Sequence, residues 1–423
     1  MKKSTIQLHN ISVENNKVSY NYSYSPDLRT YFKNSAPLFI TYDFDVSSIP
    51  NSILAIPWLA NFITISWFTG STIIIDEIDE DFFACLDVLK QGFATTYIEI
   101  LAKKSDINVK KIIKNTYPVH KEAMLFSGGL DAWTSFLKHK DKNLDLITIQ
   151  GSDIELGDTD KMELVRNSYQ QNPLLTDLPV RFITCNFRNF YNRHLEEIIY
   201  FNHTDWWTMV QHGLVLTAST APLAYHYGYS NVFIASSFST KEDFTWGSSE
   251  LDNHIRFGST KITHDGQEFN RFQKTEFIIE QVDKLNISLP LRVCYKHNVS
   301  DLNCGKCSKC LRMIVSLVLK NRNPNNFAFQ VDASFYDTII KLLKEVPFRT
   351  ADPIFWLEID AEIKGHFNFY IFENEEEERK KILYISELLK KKIESYPSTI
   401  FKFKAFKNDL RNKFLKWKVS SIK

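Results

Sequence analysis

Residues 123–137, AMLFSGGLDAWTSFL, constrain this chain more than any other stretch. A short apolar run leads into Ser127, Gly128, Gly129, Leu130 and Asp131, and a helical pattern follows. The order predicts strand, tight glycine loop and helix start. Two glycines let the backbone take positive φ and come close to a ligand. The first N–H groups of a helix are a ready anion site. Ser127 adds a hydroxyl donor, and Asp131 is placed to hold a cation, Mg²⁺ on phosphate oxygens being the expectation. These five residues are the candidate phosphate-binding set, with Ser127 and Asp131 the candidate catalytic pair. The lysine of the G-x-x-x-x-G-K-[ST] loop is absent, so this is not that motif. A glycine turn without a ligand is the alternative reading.

A length of 423 residues suggests two or three domains. The net charge of +1 gives no overall push toward nucleic acid or an anionic membrane. Residues 46–75 carry no charge, but Pro50, Asn51, Pro57, Asn61 and Gly70 interrupt them. A buried helix followed by a buried strand is expected there, not a membrane span. The start, MKKSTIQLHN, lacks the apolar core of a signal peptide. Four of the six cysteines are clustered, which points to metal in a reducing compartment and a cytoplasmic setting. Cys85 and Cys185 read as core.

Periodicity divides the chain into three units. Residues 1–118 read as an α+β block: a hairpin over 6–13 and 18–24 around Glu14, Asn15 and Asn16, a strand over 37–44, a helix over 53–68, a strand over 72–75 and a helix over 81–93. Residues 119–322 alternate strand and helix, as a doubly wound parallel sheet of the α/β class does. Strands are expected at 144–149, 180–185 and 231–235, with helices at 160–170 and, unbroken, at 206–227. Ligands of such sheets bind off the carboxyl ends of the strands, which puts residues 127–131, 149–153 and Ser236 with Ser237 on one rim. Residues 238–274 read as one long polar segment, with Phe244, Trp246, Phe257 and Phe272 arguing against disorder. Beyond residue 322 a helical extension is expected, clearest at 335–345 and 375–392. The run Glu375 to Glu378 reads as a solvated face. The basic, aromatic tail from residue 402 suits RNA, an acidic partner, a membrane surface or a docked amphipathic helix.

Two clusters carry further chemistry. His264, Asp265, Glu268, Arg271 and Lys274 lie in the polar segment, the last three on a helix expected to start near Glu268. They are candidate substrate-binding residues together with Ser236, the alternative being ordinary surface ion pairs. Cys294, Cys304, Cys307 and Cys310 follow the pattern C-x₉-C-x₂-C-x₂-C, which closes a tetrahedral Zn²⁺ site and pins a loop to a helix beginning near Ser308. Sulfur transfer by these cysteines is the rival.

SGGLD resembles the pyrophosphate loop (PP-loop) of the ATP pyrophosphatase superfamily, written S-G-G-x-D-[ST], although position 132 is Ala. The resemblance implies the adenine nucleotide alpha hydrolase-like fold, cleavage of ATP to AMP and pyrophosphate, and adenine along the backbone near Ile149 and Gln150. Loop and four-cysteine site together resemble the 7-cyano-7-deazaguanine synthase (QueC) family over about residues 123–319. That family adenylates a 7-deazaguanine carboxylate for attack by ammonia. Its Asp-Cys-Arg-Pro-Glu-Phe segment is replaced here by HDGQEFNR. The additional N- and C-terminal blocks look like the longer QueC-like proteins of bacterial antiphage systems such as type IV CBASS and Qat, which implies a protein amine or a defence-system partner. No cysteine follows Met1, so a glutaminase of the asparagine synthetase kind is not expected. A tRNA-modifying PP-loop enzyme and a non-catalytic nucleotide-binding subunit are the other two readings.

Overall fold

The structure is a computed structural model that describes residues 3–33, 37–199, 206–239, 249–296, 300–348, 352–365, 371–372 and 374–395. The basic tail, Phe244 and Trp246 lie outside the described residues. The strands are β1 (Thr5–Glu14), β2 (Lys17–Tyr24), β3 (Leu38–Thr41), β4 (Thr72–Asp79), β5 (Asp106–Ile113), β6 (Lys121–Leu125), β7 (Leu144–Gln150), β8 (Val180–Cys185), β9 (Tyr229–Ala235), β10 (Arg256–Phe257) and β11 (Thr260–Asp265). They form one mixed, mostly parallel sheet of 11 strands in the order β10-β11-β9-β6-β7-β8-β3-β2-β1-β4-β5. The class is α/β. Helices α1 (Asn51–Thr69), α2 (Glu80–Ala94), α3 (Glu99–Ala102), α4 (Leu130–His139), α5 (Thr159–Gln170), α6 (His194–Ile198), α7 (His212–Ala218), α8 (Ala221–Tyr227), α9 (Ser249–Asp252), α10 (Arg271–Leu285), α11 (Ser308–Leu319), α12 (Phe335–Glu345), α13 (Asp352–Gly365) and α14 (Glu375–Ser395) connect or cover them.

The parallel centre places the glycine loop. β6 pairs with β7 on one side and β9 on the other, all parallel. Chain order therefore reverses at β6, and the loop that leaves its carboxyl end opens into the crevice such a reversal creates. β11 continues the parallel run beside β9, with His264 opposite Ile234 and Asp265 opposite Ala235.

The N-terminal block is not a separate sheet. β3 pairs antiparallel with β8, and one core cluster contains residues from both sides of position 118. The two-residue turn of the expected hairpin has Asn15 at φ 52°, a conformation asparagine tolerates. Helix α1 is apolar on every side, so burial is its only stable solution in water. Residues 52–68 are all buried, and 94% of its most apolar window lies inside the protein. Tyr20 donates to the Leu54 carbonyl (2.8 Å), and Gln211 donates to Asn61 (2.6 Å). Near the far ends of the strand order, Asp79 accepts from the Gly258 N–H at 3.0 Å, so the sheet curls round α1.

Four expectations need correction. The helix expected over 206–227 is broken into a π-turn (Trp207–Gln211), α7 and α8. Hydroxyls of Thr217, Ser219 and Thr220 bond back to carbonyls of the preceding turn, and Pro222 has no N–H to continue the ladder. The polar segment contains β10 and β11, whose alternating burial was hidden among charged neighbours. The helix expected near Glu268 starts at Arg271, because Asn270 caps it and Gln273 closes a capping box. Glu378 is not solvated: it is buried, accepts from Tyr336 and receives the backbone N–H of Ile371 and Phe372.

Gly151 lies where β7 turns, at φ 95°, and a Cβ there would sit 1.7 Å from the Cys185 carbonyl oxygen. Gly151→Ala is expected to cost about 3 kcal/mol from backbone conformation and overlap together. Gly157, with nothing within 4 Å of its Cβ position, is the control. Thermal melts of the two alanine variants check this; equal midpoints would refute it.

Candidate functional site

Phe126 leaves β6 by donating its N–H to the Ile147 carbonyl (2.7 Å), and the chain then turns sharply. Gly128 has φ 72° and packs against Tyr169. A Cβ on Gly129 would meet Ser127 Oγ at 3.3 Å and the Arg292 carbonyl at 3.4 Å. Gly129 is the N-cap of α4 and has no side chain to cap it. The first helical bond is Trp133 N–H to the Gly129 carbonyl (2.9 Å). The N–H groups of Leu130, Asp131 and Ala132 are thus the free donors of a helix start, at the positive end of its dipole. Ser127 Oγ lies 3.4 Å from the Gly129 nitrogen.

Arg292 grips this loop from behind. Its N–H donates to the Gly128 carbonyl and its Nε to the Ser127 carbonyl, both at 2.7 Å. The residue is 4% exposed, and its buried Nη1 has no hydrogen-bond partner among the described residues. A guanidinium buried with a spare donor next to free helix amides leaves room for an acceptor there, a water or an anion.

Asp131 and the cations of α10, expected to act apart, form one network. Arg271 Nη1 donates to Asp131 Oδ2 at 2.8 Å, and Lys274 Nζ to Oδ1 at 3.0 Å. Burial would raise this carboxyl, but the two cations outweigh it and hold it at about 2. Both carboxylate oxygens are engaged. Lys274 also donates to the Ser236 carbonyl, and Ser237 Oγ lies 3.4 Å from Asp131 Oδ2. Ser236 turns its own hydroxyl to the Phe238 carbonyl. The hydroxyl missing at Ala132 is not replaced from within α4. Thr134 bonds back to the Leu130 carbonyl (2.9 Å), and Ser135 is buried beside Gly266.

The other expected residues divide. His264 is buried and pairs with Asp252 at 2.9 Å, away from the loop. Asp265 and Glu268 both pair with Lys138 near the far end of α4. Ile149 and Gln150 line the rim but are nearly covered: Ser152 Oγ donates to the Ile149 carbonyl (2.8 Å), and the Gln150 amide donates to the Leu156 carbonyl (3.1 Å).

Several residues escaped the sequence reading. Asp153, on the expected rim, makes no hydrogen bond or ion pair among the described residues. Burial opposes its charge, while His212, Lys309, Arg292 and Arg188 hold the carboxyl below its usual range. Arg188 Nη1 donates to the Ser152 carbonyl at 3.0 Å, and its guanidinium lies 5.3 Å from the Trp207 ring. His212 directly follows the π-turn, a local distortion that often marks functional positions. Lys309 lies over Tyr295 at 3.1 Å and is pushed down to about 8 by burial. Arg271 and Arg312 flank Phe355 of α13 at 5.1 and 4.6 Å. They line a recess with Leu130, Lys309 and Glu358, so the C-terminal helices form one wall of the site. The cations Arg188, Arg271, Lys274, Arg292, Lys309 and Arg312 gather here with the carboxylates of Asp131, Asp153, Glu358 and Asp352, the last paired with Arg312 at 3.3 Å. The one local signal was the position of Arg292, two residues before Cys294.

The four cysteines converge. All four sulfurs lie within 4.8 Å of one another, with Cys294 to Cys307 and Cys304 to Cys310 at 3.9 Å and Cys307 to Cys310 at 3.5 Å. Hydrogen bonds from Cys294, Cys307 and Cys310 hold the Cys304 thiol below its usual range. The set could hold a metal ion. Cys85 and Cys185 are buried in the other core cluster, as expected.

No family model, curated protein or solved structure matches this chain.

The depressed Asp131 carboxyl makes stability depend on pH. A carboxyl at about 2 in the fold and about 3.9 unfolded contributes about 2–3 kcal/mol, present above pH 4 and lost as pH falls toward 2. Asp131→Asn is expected to be less stable at pH 7, with the gap from wild type narrowing between pH 4 and 2. Urea unfolding across that range checks it; a gap independent of pH would contradict the assignment.

Proposed function

We propose that the chain is an ATP pyrophosphatase of the PP-loop kind, and a QueC-like carbon–nitrogen ligase. In this reading it joins AMP to a carboxylate of the 7-deazaguanine type, releases pyrophosphate, and passes the acyl group to ammonia or a protein amine, within cytoplasmic antiphage defence. The observation that carries the reading is the uncapped start of α4 with the spare Arg292 donor beside it. Free amides and a buried guanidinium stabilise charge that develops on a departing pyrophosphate, because they are already oriented and dehydrated. Gly128 and Gly129 let phosphate oxygens reach those amides, and Ser127 supplies a further donor.

Asp131 acts as a positioning residue in this scheme. It fixes Arg271 and Lys274 at the mouth of the loop, where both can meet the nucleotide or the acid. With both oxygens taken, it is not assigned as a direct Mg²⁺ ligand; magnesium enters with the ATP phosphates. Asp153, His212 and Arg188 form the polar end of the crevice for the acid's heterocycle. His212 is held low by burial and is neutral at pH 7, so it can take a proton from an attacking amine.

The metal assigned to the cysteines is Zn²⁺. Zinc–sulfur bonds of about 2.3 Å in a tetrahedron put sulfurs about 3.8 Å apart, which the sulfur separations fit. With four protein ligands the ion has no open position and takes no part in a step.

A second reading is a subunit that binds nucleotide without turnover. Ala132 and the fully paired Asp131 favour it.

Chromatography of nucleotides after incubation with MgATP and 7-carboxy-7-deazaguanine separates the readings. AMP and pyrophosphate are expected. Arg271→Ala should lower the rate by about a hundredfold or more, as loss of one oriented donor does. ADP and phosphate would exclude the PP-loop reading, and ATP bound but uncleaved would select the subunit reading. For the metal, about one zinc per chain is expected by elemental analysis, and Cys307→Ser should lose it together with thermal stability. Metal-free, folded wild-type protein would refute the zinc assignment.

A further inference from the structure

The segment linking α10 to the four-cysteine site touches both the metal ligands and the glycine loop. On one side, Trp133 Nε1 donates to the Pro290 carbonyl (3.2 Å), and Arg292 binds the Gly128 and Ser127 carbonyls. On the other, Cys294 is a ligand, and Asn303 holds its surroundings. Asn303 Oδ1 accepts the N–H of Val293 (2.9 Å) and of Cys294 (3.2 Å). Its Nδ2 donates to the carbonyls of Leu291 and of Ala328 (2.9 Å). Asn303 is 3% exposed and directly precedes the ligand Cys304. Lys161 of α5 fixes the same hairpin by donating to the carbonyls of Asp301 (3.1 Å) and Leu302 (2.8 Å). One residue separates Arg292 from Cys294, so a change in one position is felt at the other.

We infer that the four-cysteine site sets the shape of the glycine loop through Arg292 and Asn303, coupling metal occupancy to anion binding at the start of α4. Arg292 is here a positioning residue. Without the metal, nothing covalent fixes Cys294 to Cys304, Cys307 and Cys310, and the 290–294 segment is held by hydrogen bonds alone, those of Asn303 foremost. The two carbonyls that Arg292 restrains then turn, and with them the amides of the loop. By linkage the effect is reciprocal: an anion in the loop tightens metal binding by the same factor. The anion arm rests on the phosphate-loop reading above; the loop-ordering arm does not.

The experiment uses the full chain with zinc bound and after removal by chelator. Hydrogen–deuterium exchange is followed in the 124–137 peptide, with the β1–β2 hairpin as reference. Binding of inorganic pyrophosphate is measured by calorimetry. Metal removal is expected to speed exchange in 124–137 selectively and to weaken pyrophosphate binding by about tenfold to a hundredfold. In Arg292→Lys, which keeps the charge but loses the forked grip, binding is already weak, and metal removal should add less than about twofold, because coupled effects are not additive. Equal losses in wild type and variant would remove Arg292 from the route. Unchanged exchange in 124–137, or a rise shared equally by the hairpin, would overturn the inference. Selective exchange without any pyrophosphate binding would uphold the coupling and overturn the phosphate-loop reading instead.

Discussion

The site depends on how the chain leaves β6. A turn this tight strands the carbonyls of Ser127 and Gly128 in a partly buried place, where an unpaired carbonyl is costly. Arg292 meets both with its Nε and its own backbone N–H. The loop amides are thereby left facing outward, with no side chain to cap them. The same contact buries a guanidinium and leaves one of its N–H groups without a protein partner. Structural need and chemical capacity therefore come from one residue: the charge that steadies the turn is also part of what an anion would meet.

The rest of the fold gives that turn a fixed frame. Helix α1, apolar all round, has to be enclosed, and the sheet encloses it by curving until Asp79 meets Gly258. The N-terminal strands extend the sheet that carries the site, with β3 pairing against β8. On the other face, α4 packs with α10, and the C-terminal helices complete the same core cluster. Phe355 brings α13 to the cleft by lying between two guanidiniums. Flat guanidiniums stack on aromatic rings at modest desolvation cost, so two cations can be kept close together there.

What was legible in the sequence is what is locally encoded. The hairpin around Asn15, the buried helix α1, strand β8 and the loop at Ser127 to Asp131 are each written in short-range periodicity or turn chemistry. The cysteines converge as their spacing implies, because ligand chemistry restricts that spacing strongly. β5 was missed because it is an edge strand with Lys110 and Lys111 and without a buried face. Glu378 was misread because its partner Tyr336 is 42 residues away, and a run of glutamates looks the same whether or not one is buried. The same reason hid Arg292, Asp153 and Arg312. Each is an ordinary polar residue in its own window, and only the packing of distant segments brings them together. Among the cations of α10, the spacing Arg271 to Lys274 put both on one face, but not the carboxylate they would meet; Asp131 is 140 residues from Arg271.

Electrostatics ties these parts together. Gathering six cations round one loop is unfavourable unless carboxylates or a ligand offset their repulsion. Asp131, Asp153, Glu358 and Asp352 do so, Asp352 by pairing with Arg312 at 3.3 Å, and Asp131 and Asp153 are held below their usual range despite burial. Burial first, and the neighbouring guanidiniums after it, drive the Lys309 ammonium down to about 8 and Arg312 down to about 10. A polyanion entering the cleft would relieve the repulsion and raise both groups again.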